Sequence, residues 1–314
     1  MLCRRKDKKL LRKPGILPSS SLNKQQLKER IIKYFLQTSG SLSIIIVLLI
    51  FLFLFKEALP FAAHPGLFEL FSTAWAPVSF QKEQFGIVPL ITGSVLVTLL
   101  ATLIAIPFGI IGAVYISEIA NSKEREFLKP FIEILAGIPS VVLGFFGLVV
   151  VAPAVKELFG LNSGLTALTG AILLAFMAIP TIITISEDAI KSVPSSYKEA
   201  SLALGASKLT TIWKVVVPSA LSGIIAAIML GMWRVVGETM AVMMVTGNAP
   251  VVSFDPFTSV RTMTATIAAE MGEVTYGSAH YSALFWVGIV LMLMTFLLNL
   301  VSFRVLKKYG LYEK

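Results

Sequence analysis

The stretch Ser186–Ala220, SEDAIKSVPSSYKEASLALGASKLTTIWKVVVPSA, decides the fold. It is a polar island between long apolar runs, charged at Glu187, Asp188, Lys191, Lys198, Glu199, Lys208 and Lys214. Two short helices fit it. Pro194 suits a helix N-terminus with Ser192 or Ser195 as caps, and Tyr197, Leu202 and Leu204 give an incomplete apolar face. Gly205 interrupts the run, since a tight turn between helices needs a residue tolerant of positive φ. From about Ser207 to Val216, Leu209, Ile212, Trp213 and Val216 recur at helical spacing, and Pro218 opens the next apolar run, where a missing N–H costs nothing. Such a helix–glycine–helix bracket is a rigid handle whose apolar face suits a groove on another protein; an ordinary polar loop is the alternative.

Outside this island the chain is apolar. Hydrophobic residues make up 56% of its 314 residues and charged residues 14%. A soluble domain of that length carries far more charge, so the composition indicates an all-α integral membrane protein. The net charge of +9 does not point to nucleic acid, because Lys and Arg sit in tails and alternate loops rather than on one folded face. The single Cys3 and the isolated His64 and His280 exclude a disulfide framework and a metal cluster, and no cofactor site is expected.

Six spans are predicted. Residues 1–33 form a basic tail, of which Leu22–Lys33 suits a short surface helix at an anionic leaflet. The first span, Tyr34–Leu59, is longer than a signal-peptide core and reads as a retained anchor. Pro60–Phe85 is a loop whose Phe61, Phe68, Phe71, Trp75, Phe80 and Phe85 suit a membrane interface. Spans two to four are expected at Gly86–Ile116, Phe131–Val151 and Gly164–Ile185, with Glu118–Lys129 a charged loop before Pro130. Span five, Ser219–Val245, leads to the turn-rich Thr246–Asp255 and then to RTMTATIAAEMGE, which suits a short helix. Span six is Ala279–Phe303. Lys and Arg crowd the tail, Glu118–Pro130, the bracket and the C-terminal end, leaving Lys56, Lys82, Lys156 and Arg261 on the other side. Both termini and the bracket are therefore expected in the cytoplasm.

Span five carries GMWRVVGETMAVMMVTG, in which a continuous helix would place Arg234 and Glu238 one turn apart. Arg234 lies about 24 Å of helix beyond Pro218, near mid-membrane, where an unpaired charge costs at least about 2.5–3.5 kcal/mol. Ser219, Gly223, Ala227 and Gly231 form a small-residue seam, and a regular helix turns both charges toward it, away from lipid. An ion pair that merely neutralises itself is one reading. The other is an anion pathway: Arg234 presents a planar cationic fork to an oxyanion, Glu238 holds that fork when the path is empty, and Thr239 adds a neutral donor.

Two sets of residues resemble known transporters. Glu199-Ala200-Ser201, Gly205 and Val215-Val216-Val217-Pro218 sit at the spacing of the EAA loop of ABC-importer permeases, with Ser201, Val215 and Val217 as conservative departures. R-V-V-G-E-T-M-A at 234–241 resembles the R-x-x-G-E-T-M-A segment of PstC-type permeases of phosphate-specific ABC importers. L-A-G-I-P-S at 135–140, G-F-F-G at 144–147 and T-A-T-I-A-A-E-M at 264–271 are similar to the same family, so the likeness runs from about Gly86 to the end. Sulfate and molybdate permeases have Phe-Gly after R-x-x-G-E, and the companion phosphate permease has Ala-Pro after Glu-Thr; Met240-Ala241 matches the PstC type.

The resemblance implies a six-helix, MetI-like permease fold. Residues 34–85 would be the first transmembrane helix with an extracytoplasmic loop, and 86–314 the permease core with its coupling loop at 186–218. Arg234, Glu238 and Thr239 would lie on the substrate pathway. Glu199, Ala200, Ser201, Gly205 and Pro218 would belong to the loop that docks the ATPase. Implied partners are a second, PstA-like permease, two PstB-like ATP-binding subunits and a PstS-like extracytoplasmic phosphate-binding protein meeting Thr246–Asp255 and Arg261–Met271; membrane lipid surrounds the whole. No G-x-x-x-x-G-K-[ST] occurs, so this chain is not itself the ATPase, and no nucleophile elbow or H-E-x-x-H suggests an enzyme. A permease for another oxyanion and a stand-alone secondary anion carrier are the alternatives.

Overall fold

A computed structural model describes the backbone of residues 19–79 and 82–308. Most of the expected basic tail (residues 1–18), Phe80 and residues 309–314 lie outside the described residues. Helix α1 (Ser19–Phe61) runs unbroken through the apolar stretch, so no separate surface helix forms at Leu22–Lys33. Two compact units divide within it, one ending at Phe53 and the other beginning at Leu54. In the first unit, large apolar side chains such as Ile44, Ile46 and Leu49 are exposed, as suits a span facing lipid.

In the second unit, β1 (Trp75–Ala76) pairs antiparallel with β2 (Gln84–Phe85) as the only strand pairing among the described residues apart from one isolated bridge. Helix α2 (Val88–Val114) continues through a wide turn at Tyr115–Ile119. Then come α3 (Ser122–Gly137), α4 (Ser140–Phe146), a π-turn at Gly147–Val151, α5 (Ala152–Phe159) and α6 (Ala167–Lys191). The bracket follows as α7 (Ser195–Ala203), α8 (Lys208–Thr211) and α9 (Val217–Ser219), and leads into α10 (Leu221–Gly237) and α11 (Met240–Val245). Two helices complete the chain, α12 (Met263–Glu270) and α13 (Ala279–Lys308). Five helical segments are long and apolar enough to cross a membrane; Lys208–Ser219 with Leu221–Gly237, bent by 70°, make a sixth if counted as one span.

Four expectations change. The segment expected as a charged loop before Pro130 is largely helical, because Glu124 accepts the Asn121 N–H at 3.0 Å and so starts α3, which carries Pro130 within it. The third span is consequently not Phe131–Val151 but Ser140–Phe159, after extended backbone at Ile138 and Pro139 ends α3. Span four likewise runs later than expected, to Lys191. The aromatics of the Pro60–Phe85 loop also divide. Phe68 and Phe71 are exposed, but Phe61, Trp75 and Phe85 are buried, with Phe61 and Phe85 edge to face at 5.3 Å, because the hairpin closes over Leu284 and Val287 of α13.

Close backbone approach organises the core. Ile182 of α6 is 1% exposed and fills the space where Gly109 of α2 and Gly231 of α10 lack side chains. A Cβ on Gly109 would lie 2.5 Å from Ile182 Cγ2, and one on Gly231 2.7 Å from its Cγ1. Around this knob, Ala101, Ala105, Ala171, Ala175 and Ala178 are buried, so α2 and α6 meet along faces of small residues. Part of the expected seam is therefore an α6 contact: Gly223 meets Ala189, Gly231 meets Ile182 and Ala227 is buried, whereas Ser219, before the bend, is exposed.

Gly231→Leu is expected to destabilise the protein by about 1–3 kcal/mol, because overpacking forces side chains off their rotamers. Thermal unfolding in detergent should show it, while Gly137→Ala, where nothing lies within 4 Å of an added Cβ, should leave the transition in place.

Candidate functional site

The span with the charged pair is not one helix. Helix α10 stops at Gly237, Glu238 is extended (φ −71°, ψ 134°), and α11 starts at Met240. Glu238 therefore does not stand one turn above Arg234, and among the described residues no ion pair joins them. The Glu238 carboxylate turns to the next helix, where Oε1 accepts the Ala241 N–H at 3.3 Å. Thr264 Oγ1 donates to the Glu238 carbonyl at 2.9 Å, and Thr239 Oγ1 to the Gly237 carbonyl at 3.2 Å. These bonds satisfy backbone groups that a break would otherwise leave open. Broken backbone at membrane depth is tolerated where it is buried in protein or lines a cavity.

A cavity is present at the break. Its volume is ≈ 10 Å³, about one water, and Glu238 lines it with Ser94 and Thr98 of α2 and with Thr262 and Thr264. Ser94, Thr98 and Thr262 are themselves buried. Sequence reading missed these hydroxyls, although Ser94 and Thr98 stand at i, i+4 spacing on an otherwise apolar helix, which is the available signal. The cluster offers neutral donors around a carboxylate.

Arg234 is placed differently. Its side chain is exposed on this chain, and Nη2 donates to the Ala136 carbonyl of α3 at 3.2 Å. Of the expected pathway residues, Glu238 and Thr239 meet at the break, while Arg234 stands apart with its guanidinium largely uncommitted.

The bracket forms as its sequence indicates. Ser207 Oγ accepts the Thr210 N–H at 3.2 Å to start α8, and Gly205 adopts φ +82°, a conformation that strains any residue with a Cβ. Ser201 and Thr211 hydroxyls meet at 2.9 Å and tie the two arms together. Glu199, Ala200, Gly205 and Pro218 are exposed, as are Tyr197, Leu202, Leu204, Leu209 and Trp213. Neither serine named as a possible cap caps α7, whose N-cap position is Pro194. Nearby, Lys129 of α3 lies 3.4 Å from Glu187, a carboxylate whose side chain is 2% exposed and which Lys191 also pairs.

A second polar cluster joins the hairpin to α12 and α13. His280, isolated in sequence, has Nε2 2.8 Å from Glu270 Oε2. Arg261 pairs with Glu270 Oε1, and Trp75 Nε1 donates to Oε2 at 3.1 Å. Burial pushes the Glu270 carboxyl up, but the bonds from His280 and Trp75 and the charges of Arg261 and His280 outweigh it, so its pKa falls below the ordinary 4.5. A depressed folded-state pKa contributes stability that is fully present above the unfolded value and is lost as pH falls through the folded one. Thermal stability should therefore decline as pH drops below 4.5, and Glu270→Gln should flatten that acid limb.

Comparison with known proteins adds the following. The family model described as "Binding-protein-dependent transport system inner membrane component" matches residues 105–309. The "Probable ABC transporter permease protein YqgH" of Bacillus subtilis is 44% identical over 73% of this chain and 74% of its own length. The "Phosphate transport system permease protein PstC" of Mesorhizobium japonicum is 36% identical over 74% of this chain and 76% of its own. For the PstC of Pasteurella multocida the figures are 33%, 83% and 90%. Two solved structures share the fold. A chain of the MetNI methionine ABC transporter, seen facing inward, matches with a TM-score of 0.54 at 20% identity, covering 72% of this chain and 94% of that one. A chain of a bacterial alginate ABC transporter, in complex with an alginate-bound periplasmic protein, matches at 0.60 and 16%, covering 88% and 96%.

Proposed function

Because this chain belongs to the inner-membrane components of binding-protein-dependent transport systems, we propose that it is the PstC-type permease subunit of an ATP-driven importer of inorganic phosphate. It is a multi-pass transport subunit and not an enzyme; ATP is hydrolysed by separate subunits. Similarity over most of the chain to permeases named for phosphate transport carries the substrate assignment. The broken R-V-V-G-E-T-M-A segment supports it on physical grounds, since discontinuous helices at mid-membrane suit ion passage.

In this reading both termini and the bracket face the cytoplasm, residues 34–85 form the first span with its outer loop, and 86–314 form the core. A second, PstA-like permease covers the face on which Arg234 is exposed, so that the path runs between the two subunits. Arg234 then offers its fork to phosphate, and Glu238, Thr239 and the hydroxyls of Ser94, Thr98, Thr262 and Thr264 line the neighbouring wall. Because Glu238 is engaged with α11, it acts as a negative wall that keeps the well shallow rather than as a clasp on Arg234. A PstS-like binding protein delivers phosphate to Thr246–Asp255 and Arg261–Met271. One of two PstB-like ATPases docks on the bracket through Tyr197, Leu202, Leu204, Leu209 and Trp213, and closure of the ATPase pair rocks the spans.

The test is uptake by the whole complex in proteoliposomes. Arg234→Ala should leave assembly intact and lower phosphate uptake by about 10–100-fold, the worth of one charged hydrogen bond. Sulfate uptake independent of phosphate would favour another oxyanion, and transport by this chain alone without ATP would favour a secondary carrier.

Gly205→Val should strain the turn by about 1–3 kcal/mol and displace one arm of the bracket. Co-purification of the ATPase should drop accordingly; unchanged binding and transport would remove the bracket from the coupling route.

A further inference from the structure

We propose that α3 is a strut that carries bracket movement to Arg234, and that Glu118, Lys198 and Arg125 are positioning residues for the pathway. The proposal rests on the reading that ATPases dock on the bracket and that phosphate passes Arg234.

The connection is continuous and mostly polar. Lys198 of α7 pairs with Glu118, in the turn that ends α2, where the Glu118 side chain is only 10% exposed. On the same turn, Arg125 Nε donates to the Ile116 carbonyl and its Nη2 to the Ser117 carbonyl, both at 2.9 Å. Tyr115 Oη adds a bond to Glu124 Oε2 at 3.2 Å. The first turn of α3 is thus held to the segment that the bracket grips. At the other end, the Ala136 carbonyl accepts from Arg234 Nη2. The helix has 16 residues in all, and from Arg125 to Ala136 it spans about 17 Å of backbone whose internal bonds resist compression.

Two observations separate this from incidental packing. No residue of α3 is buried, and only Leu128, Ile132 and Leu135 among its large apolar side chains are half-buried, so polar tethers contribute to its position beside these apolar contacts. Midway along, Lys129 lies 3.4 Å from Glu187 of α6, a nearly buried carboxylate that Lys191 also pairs, which gives the strut one point of attachment between its ends. A displacement of α7 then reaches Ala136 as a tilt or slide of α3. That moves the acceptor on Arg234 and changes how far the guanidinium is free to bind an anion. The coupling is a shift in population between two placements of one side chain, which needs only a modest difference in contact energy.

The experiment measures phosphate moved per ATP hydrolysed by the complete complex. Glu118→Lys and Lys198→Glu, each alone, should assemble, hydrolyse ATP and lose about tenfold in that ratio, within the usual range of coupling energies. The double exchange should restore it, whereas a purely structural pair would instead alter assembly or thermal stability. Arg125→Met should also lower the ratio, with the phosphate KM little changed in complexes that still turn over. If the single variants keep the normal ratio, or the double exchange fails to restore it, the strut is wrong. Arg234→Ala separates the two levels. If that variant is inactive while the tether variants stay coupled, only the strut falls; if it transports normally, the pathway reading falls with it.

Discussion

The contact on which the molecule depends is that of Ile182 with the two glycines on either side of it. Three spans can close around one β-branched side chain only because Gly109 and Gly231 present backbone where other residues would present Cβ. In lipid there is no hydrophobic gain from bringing apolar helices together, so association relies on close packing and polar bonds. The Ile182 contact supplies the first. It also fixes where α10 lies, and hence the depth at which its helix runs out at Gly237.

From that fixed point the functional groups spread in two directions. Inward, Glu238 and a ring of hydroxyls share a small cavity at the helix break. Outward, Arg234 stands on the surface of the single chain, bonded among the described residues to one main-chain oxygen. On the proposed reading, in which this subunit supplies half of a shared conduit, that cation lies on the face a second subunit would complete. The half-buried network around Glu270 has a different character. It joins hairpin, α12 and α13 through a densely bonded carboxylate and forms a stiff rim away from the bracket.

Much of this was legible in the chain. The bracket could be read because its turn is written in residues with local consequences: Gly205 at positive φ, Ser207 as a cap, Pro218 where no N–H is needed. The existence of the spans could be read from hydropathy, though not the bounds of the third. The break at Glu238 could not, because R-V-V-G-E-T-M contains no proline and Gly237 alone is a weak stop. The break is held by one tertiary bond, the Thr264 hydroxyl on the Glu238 carbonyl, and by one local bond, the Glu238 carboxylate on the Ala241 N–H. Helix α3 was obscured for the opposite reason. Its charges suggested a loop, although Asn121 and Glu124 already had the spacing of a helix start and Phe127 and Phe131 that of one face. His280 looked solitary because its partner lies ten residues earlier across a turn.

The acceptor for Arg234 belongs to the main chain of α3, not to a side chain. The identity of residue 136 is accordingly of little consequence to that bond, whereas the number of residues between Arg125 and Ala136 is decisive. One residue inserted there would turn the carbonyl by about 100° and shift it by about 1.5 Å, aiming it away from the guanidinium. Across the evolution of this subunit, α3 should therefore behave as a ruler, free to change its letters but not its length.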